Sequence, residues 1–276
     1  MMLPTSNLFF RFSDYDQRAG VLTPKTIRQA SEIFQEQGFI WLKDALPKQL
    51  INSVQEEYQR KYVNLPESST KARVGDKRYL ITVTVESLFN NPALYAAPMF
   101  YPLLIKFLGE DCVIDSFGSV CAYPGAKAQK IHADNPPLFD SDEVCARIPC
   151  YALTVVVPLI ALNKTVGTTA VWQKSHRHPQ YSEYIKTLRD KEDFEEATWL
   201  TPDVGDIYLM DYRLIHVGTP NLSEEPRPIL YIVYSRPWFA DAYNFGERRE
   251  RAVIISKEEY TKVPESYRHL FKGAIE

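Results

Sequence analysis

The sequence predicts a mainly β chain with added helices: a double-stranded β-helix of the jelly-roll, cupin-like type, with N-terminal helices packed on one outer face. Three observations predict it. From residue 111 the chain breaks into eight short β-branched and aromatic runs separated by turn residues, and no helix alternates with them, which argues against a parallel sheet. Before that point apolar residues recur at helical spacing. The 276 residues, 45% hydrophobic and 24% charged, suffice for one large core. We expect a single domain over 1–276, with a helical part over about 1–110, the β core over about 111–240 and a C-terminal extension over 241–276.

Taken in order, Thr23-Pro24 supplies an N-cap and a proline at the first helical position. Ile27, Ala30, Ile33 and Phe34 then keep helical spacing up to Gln37, and Gly38 ends the helix. Residues 38–42 read as a short buried strand, and Pro47 to about Tyr62 as a second helix with Leu50, Val54 and Tyr58 on one face. The polar run 64–77 reads as loop and Tyr79–Val85 as a strand. Asn91-Pro92 opens a third helix through Leu108, closed by Gly109. The eight strands follow over 112–123, 130–134, 151–160, 168–173, 198–200, 206–211, 214–217 and 228–237. The insertions over 135–150 and 176–197 are long enough to cover a mouth.

A formal charge of −3 gives no broad basic field, which points away from nucleic acid and toward a small-molecule substrate. Cys112, Cys121, Cys145 and Cys150 show no C-x-x-C spacing and read as free thiols in a reducing compartment. The opening run Met1–Asn7 lacks a basic start with a following apolar stretch, and no later run approaches a membrane span, so the expectation is a cytoplasmic protein.

The chemistry sits in His132-Ala133-Asp134. On an extended strand that spacing points both metal-capable side chains to one face, where they can share an ion. Ile215-His216-Val217 supplies a third ligand, after the turn-like Asp211-Tyr212-Arg213. Two histidines and one carboxylate leave the remaining positions open, the ligand set of iron(II) oxygenases that bind a cosubstrate and dioxygen there. Such an enzyme needs a cation for the distal carboxylate of 2-oxoglutarate. Arg227, eleven residues past His216, opens the next strand, and a hairpin would return it beside the histidine with its bidentate fork inward.

Each signal has a plainer reading. His132 and Asp134 alone suit a surface or hydrogen-bonded pair, and His216 alone a satisfied core histidine. Arg227, between Pro226 and Pro228 and after Glu224-Glu225, suits a turn arginine. A catalytically silent β-helix protein holding a ligand or metal, or an iron enzyme working without 2-oxoglutarate, would keep part of the set. His176 and His178, separated by Arg177 after Ser175, read as loop residues, since no nucleophile elbow accompanies them. His269 reads as a surface residue, and Lys77-Arg78 as a solvated charge run. Substrate contacts are drawn from Asn135, Phe139 and Arg147 in the first insertion, Trp172, and Arg213 or Arg236. That insertion sets Asp140, Asp142 and Glu143 against Arg147, which favours a small substrate over a large anionic one.

The ordered set of His132, Asp134, His216 and Arg227 resembles the phytanoyl-CoA dioxygenase-like group of iron(II), 2-oxoglutarate-dependent oxygenases. Gly167-Thr168-Thr169-Ala170-Val171-Trp172-Gln173-Lys174-Ser175-His176 is similar to that group's G-x-x-x-x-x-P-G-S-H stretch, and Gly38-Phe39-Ile40 with the helix from Pro47 fits as well. Gln173-Lys174 departs from the usual Pro-Gly, and Ala133 is smaller than the residue many relatives carry, which implies a roomier or drier pocket. The resemblance implies iron(II) held by His132, Asp134 and His216, 2-oxoglutarate held by Arg227 with Gln129 nearby, and dioxygen as oxidant. It implies hydroxylation of an unactivated C–H of a small metabolite or natural-product intermediate, with release of succinate and carbon dioxide. The presence of Asp134 implies oxygenation rather than halogenation, because related halogenases leave that position to chloride.

Overall fold

Capping sets where the N-terminal helices begin. Ser13 caps α1 (Asp14–Ala19) and Thr23 caps α2 (Pro24–Gln37), each side chain accepting from a backbone N–H of the first turn. Asp16 ties the two helices together, since its carboxylate accepts from Thr23 N at 2.7 Å and Thr26 Oγ1 at 2.6 Å. Gly38 takes the left-handed conformation that closes α2, with φ of 83°. The computed structural model describes residues 8–65, 71–191, 194–244 and 252–274. The opening run read for a leader, residues 192–193 of the second insertion and residues 245–251 and 275–276 of the C-terminal extension lie outside the described residues.

Past α2 come β1 (Phe39–Leu42) and α3 (Lys48–Tyr58), whose last turn continues as a π-helix over Gln59–Val63. The run expected to be loop contains β2 (Lys71–Gly75), which pairs with β3 (Arg78–Thr82). Its exposed Arg73 and charged neighbours suit a sheet edge, where like strands must not dock. The single helix expected over 91–108 is divided into α4 (Pro92–Tyr95) and α5 (Tyr101–Leu108). Pro98 and Pro102 explain the break, because the first interrupts the ladder and the second suits only a helix start.

The remaining strands are β4 (Val113–Ala122), β5 (Ala152–Pro158), β6 (Thr169–Val171), β7 (Thr198–Leu200), β8 (Ile207–Asp211), β9 (His216–Gly218) and β10 (Arg227–Ser235). They form two sheets, seven strands in the order β1-β8-β5-β10-β4-β3-β2 and three in the order β7-β6-β9, and neighbouring strands are antiparallel throughout the described residues. This is the jelly-roll arrangement the short strands predicted. Residues 130–134 make no strand; His132 alone bridges His216. The insertions carry α6 (Asp142–Arg147) and α7 (Tyr181–Lys191), and the C-terminal extension carries α8 (Lys257–Lys262).

Alternation along β10 divides the core. Leu230, Ile232 and Tyr234 join the large cluster under the helices, which also holds Phe34 of α2 and Phe107 of α5. Those two rings stack at 4.2 Å, and burying each contributes roughly 1.5–3 kcal/mol. Arg227, Ile229, Tyr231 and Val233 take the other face, toward the smaller sheet. Among the described residues no helix is long and apolar enough to cross a membrane.

Candidate metal centre

His132 and His216 are fixed by reciprocal backbone hydrogen bonds, His132 N to His216 O at 3.0 Å and His216 N to His132 O at 2.7 Å. The exchange sets their rings 4.3 Å apart. Each ring is then oriented by a carbonyl two residues earlier, because Nδ1 of His132 donates to Lys130 O at 2.7 Å and Nδ1 of His216 to Leu214 O at 2.9 Å. A carbonyl only accepts, so the proton sits on Nδ1 and both Nε2 lone pairs are left for a metal. Burial and the neighbouring His216 push the His132 imidazole down to about 4, which keeps it in the neutral, ligating form.

Asp134 completes the group, its Oδ1 lying 3.5 Å from His216 Nε2. One ligand atom from each of the three residues lies within 4.8 Å of the others, and among the described residues no other such group of three occurs. The sequence spacing therefore converges in space, although on a bend rather than a strand. Ala133 points the other way, against the cluster of Ile131, Trp172 and Val217, so it does not enlarge the space beside the triad.

Arg227 is 1% exposed and opens β10. It does not form a hairpin with the histidine strand, as the spacing suggested; β9 pairs with β6 in the small sheet, while β10 lies between β4 and β5 in the large one. The chain changes sheets between the two strands, so arginine and histidine belong to opposite walls of one barrel. Nε and Nη1 of Arg227 are buried with no hydrogen-bond partner.

A second arginine lies beside it that sequence reasoning had assigned to solvent. Arg78 is 0% exposed, and it and Arg227 are both paired in register with Ala122 of β4, so their side chains share the inner face. Arg78 Nη2 donates to Lys127 O at 3.1 Å and Thr219 O at 2.8 Å, while Nε and Nη1 are buried without partners. Burial, reinforced by the Arg227 charge, pushes the Arg78 guanidinium down to about 9, and burial depresses Arg227 as well. Among the described residues no carboxylate pairs with either. The available signal was alternation, since Arg78, Leu80 and Thr82 fall on one face of β3 and Tyr79 and Ile81 on the other.

Gly218 links the two halves of the site. A Cβ there would stand 2.3 Å from Gln129 Oε1 and 2.9 Å from Arg78 Nη1, and Gln129 Oε1 accepts from Gly218 N at 3.1 Å. Gly218 is two residues beyond His216 on the same face, about 7 Å along the strand, so the arginine pair and the triad stand one short ligand apart. That separation and charge suit a short dicarboxylate.

The other sequence candidates are scattered. Asn135 is buried and lines a small cavity with Pro137, Cys145, His176, Tyr181 and Arg213. Arg213 is committed, donating to both oxygens of Asp211, at 2.8 and 2.7 Å, and to Cys145 O and Ile148 O, so it anchors the first insertion. Arg236 likewise donates to Cys150 O and Phe107 O. Phe139 and Arg147 are exposed, the latter paired with Glu143 at 2.6 Å. Trp172 is 2% exposed and packs with Ile215 and Val217, on the side of the small sheet away from His216. Lys174 holds the turn that Pro-Gly would make, at φ of 66°, by a hydrogen bond from its N–H to Gln37 O.

Comparison with known proteins gives a consistent picture. A family model described as phytanoyl-CoA dioxygenase (PhyH) matches residues 34–229. A curated protein, Dioxygenase af480 of Aspergillus fumigatus, is 26% identical over 152 residues; the match covers 55% of this chain and 46% of that protein, so this chain spans less than half of the relative's length. Among solved structures, HygX of Streptomyces hygroscopicus, with nickel and 2-oxoglutarate bound, superposes with a TM-score of 0.60 at 15% identity, covering 80% of this chain and 89% of that one. AviO1 of Streptomyces viridochromogenes Tue57 gives 0.57 at 18% identity, covering 76% and 95%. At these identities the structural likeness speaks to the fold.

Proposed function

The chain belongs to the phytanoyl-CoA dioxygenase family of non-haem iron, 2-oxoglutarate-dependent oxygenases; on that premise we propose that His132, Asp134 and His216 hold its iron(II) and that Arg227, with Arg78, holds the distal carboxylate of 2-oxoglutarate. The observation that carries the reading is the pair of buried guanidiniums with no counter-ion among the described residues, Arg78 lying against Gly218, two residues from His216. Two cations removed from water with no acid between them are costly, and an anion entering between them offsets that cost. The donor set fits the metal, with two neutral imidazoles presenting Nε2 and one carboxylate oxygen.

When bound, iron and 2-oxoglutarate supply the oxidising chemistry with dioxygen, yielding succinate and carbon dioxide and hydroxylating an unactivated C–H of a small metabolite or natural-product intermediate. The protein's part is orientation. Arg227 and Arg78 fix the far end of the cosubstrate, and Gln129 and Gly218 shape the floor between that end and the triad. Arg213 anchors the first insertion through Cys145 O and Ile148 O, beside the small cavity that Asn135 lines.

The test is anaerobic addition of iron(II) and then 2-oxoglutarate to the purified protein. A visible charge-transfer band, and slow succinate formation once air is admitted, are expected. Absence of both would favour a silent binding protein, and a band that survives in Arg227→Ala with unchanged 2-oxoglutarate affinity would remove the arginine assignment.

A further inference from the structure

The three ligands are not held equally. His132 and His216 are locked by their mutual bridge, whereas Asp134 lies in a bend outside every strand and gains no ladder hydrogen bond to fix its direction. Two side chains compensate. Thr154 Oγ1 on β5 donates to Asp134 Oδ2 at 2.8 Å, leaving Oδ1 as the oxygen nearest His216 Nε2. Asn244, beyond β10, donates through Nδ2 to the main-chain oxygen of Asp134 and to Asp241 Oδ2, both at 2.7 Å. Asp241 is itself fixed by the Tyr212 hydroxyl and by Asn244 N at 2.9 Å.

Thr154 is conspicuous on its strand. It is 4% exposed and is the one hydroxyl residue in Ala152-Leu153-Thr154-Val155-Val156-Val157-Pro158, an otherwise apolar run. A buried hydroxyl is retained where it has a partner, and its partner is the metal-facing carboxylate. We propose that Thr154 is a positioning residue that keeps Asp134 a one-oxygen ligand, Oδ1 toward the metal, and that Asn244 is a second tether acting through the Asp134 backbone. Without the Thr154 hydrogen bond the carboxylate is free to rotate, either to chelate with both oxygens and fill an open position or to turn away. The inference rests on the triad reading above and adds to it the cause of the carboxylate's orientation.

The experiment compares anaerobic calorimetric titration of iron(II), without 2-oxoglutarate, into the parent, Thr154→Val, Thr154→Ser and Asn244→Ala, followed by the visible spectrum after 2-oxoglutarate is added. Thr154→Val is expected to bind iron(II) about 10–100-fold more weakly and to shift the band, Asn244→Ala about tenfold more weakly, and Thr154→Ser within about threefold of the parent. Thr154→Val matching the parent in affinity and spectrum overturns the proposal, as does Thr154→Ser behaving like Thr154→Val, which would assign the residue to packing. Asn244→Ala at parental affinity removes the second tether. Should Thr154→Val fail to fold, Thr154→Ala against Thr154→Ser makes the same comparison. A parent that binds iron(II) without a band overturns the cosubstrate assignment alone, since the affinities still judge Thr154; a parent that binds no iron(II) overturns both.

Discussion

Replacing Arg227 with methionine should make the ligand-free protein more stable while crippling its cosubstrate affinity. The side chain is 1% exposed, makes no hydrogen bond to any described residue, and shares its space with the Arg78 cation. An apolar side chain of similar length removes a desolvated charge at little packing cost, a change worth about 1–3 kcal/mol of stability. In a chain of this size each kcal/mol moves the melting temperature by about 2–4 °C, so a rise of several degrees is expected. The same change truncates one partner of a buried charge pair with the carboxylate, a loss of about 2–5 kcal/mol in binding, or roughly 30- to several-thousand-fold. Differential scanning fluorimetry of metal-free protein reads the first effect, and titration of 2-oxoglutarate into the iron(II)-loaded protein reads the second. Added 2-oxoglutarate should raise the melting temperature of the loaded parent and leave that of the variant unmoved. A variant that melts lower than the parent while binding 2-oxoglutarate normally would show the arginine to be a structural residue, and the reasoning from unpaired charge would fail.

Three further outcomes follow from the same geometry. His216→Ala should lose iron(II) affinity on the order of 100-fold or more, whereas His176→Ala, a buried residue outside the triad, should keep it; calorimetry with the metal alone decides. Gly218→Ala should lower stability by about 1–3 kcal/mol and weaken 2-oxoglutarate more than iron(II), because the new methyl displaces Gln129 and Arg78 rather than the histidines. For Asp16, burial opposes ionisation, yet hydrogen bonds from Ser13, Thr26 and Thr23 outweigh it and hold the carboxyl at about 2. With the folded value below the unfolded one, its stabilisation is complete above about pH 4 and is lost as pH falls toward 2. Asp16→Asn should therefore cost about 1 kcal/mol in urea denaturation at pH 7, and the gap to the parent should narrow between pH 4 and pH 2.

The features legible in the sequence were those with a local cause. Thr23-Pro24 and Gly38 bound α2 because capping acts within one turn, and the H-x-D spacing predicted the convergence of His132 and Asp134 because two residues of chain keep them close, although the strand expected there is a bend. What the sequence hid depended on register between distant strands. Lys77-Arg78 has the composition of a solvated pair; Arg78 is buried because Ala122 of β4 carries it on the same inner face as Arg227, a relation across more than a hundred residues of chain. The placement of Arg227 opposite His216 likewise depends on which sheet each strand joins, and eleven residues of separation fit a hairpin as well as a change of sheet. β2 escaped notice because an edge strand is polar by requirement, so its composition is that of a loop.

The hydrogen bonds from His132 and His216 to Lys130 O and Leu214 O have a bearing on how this chain can change over generations. Both imidazoles take their tautomer from main-chain atoms, which every substitution at residues 130 and 214 preserves. The surrounding side chains can therefore drift, and the two insertions can be rebuilt for new molecules, without retuning the histidines. Asp134 has no such insurance, since its support comes from Thr154 and Asn244. Mutational drift around the triad should thus be tolerated on the histidine side and filtered on the carboxylate side.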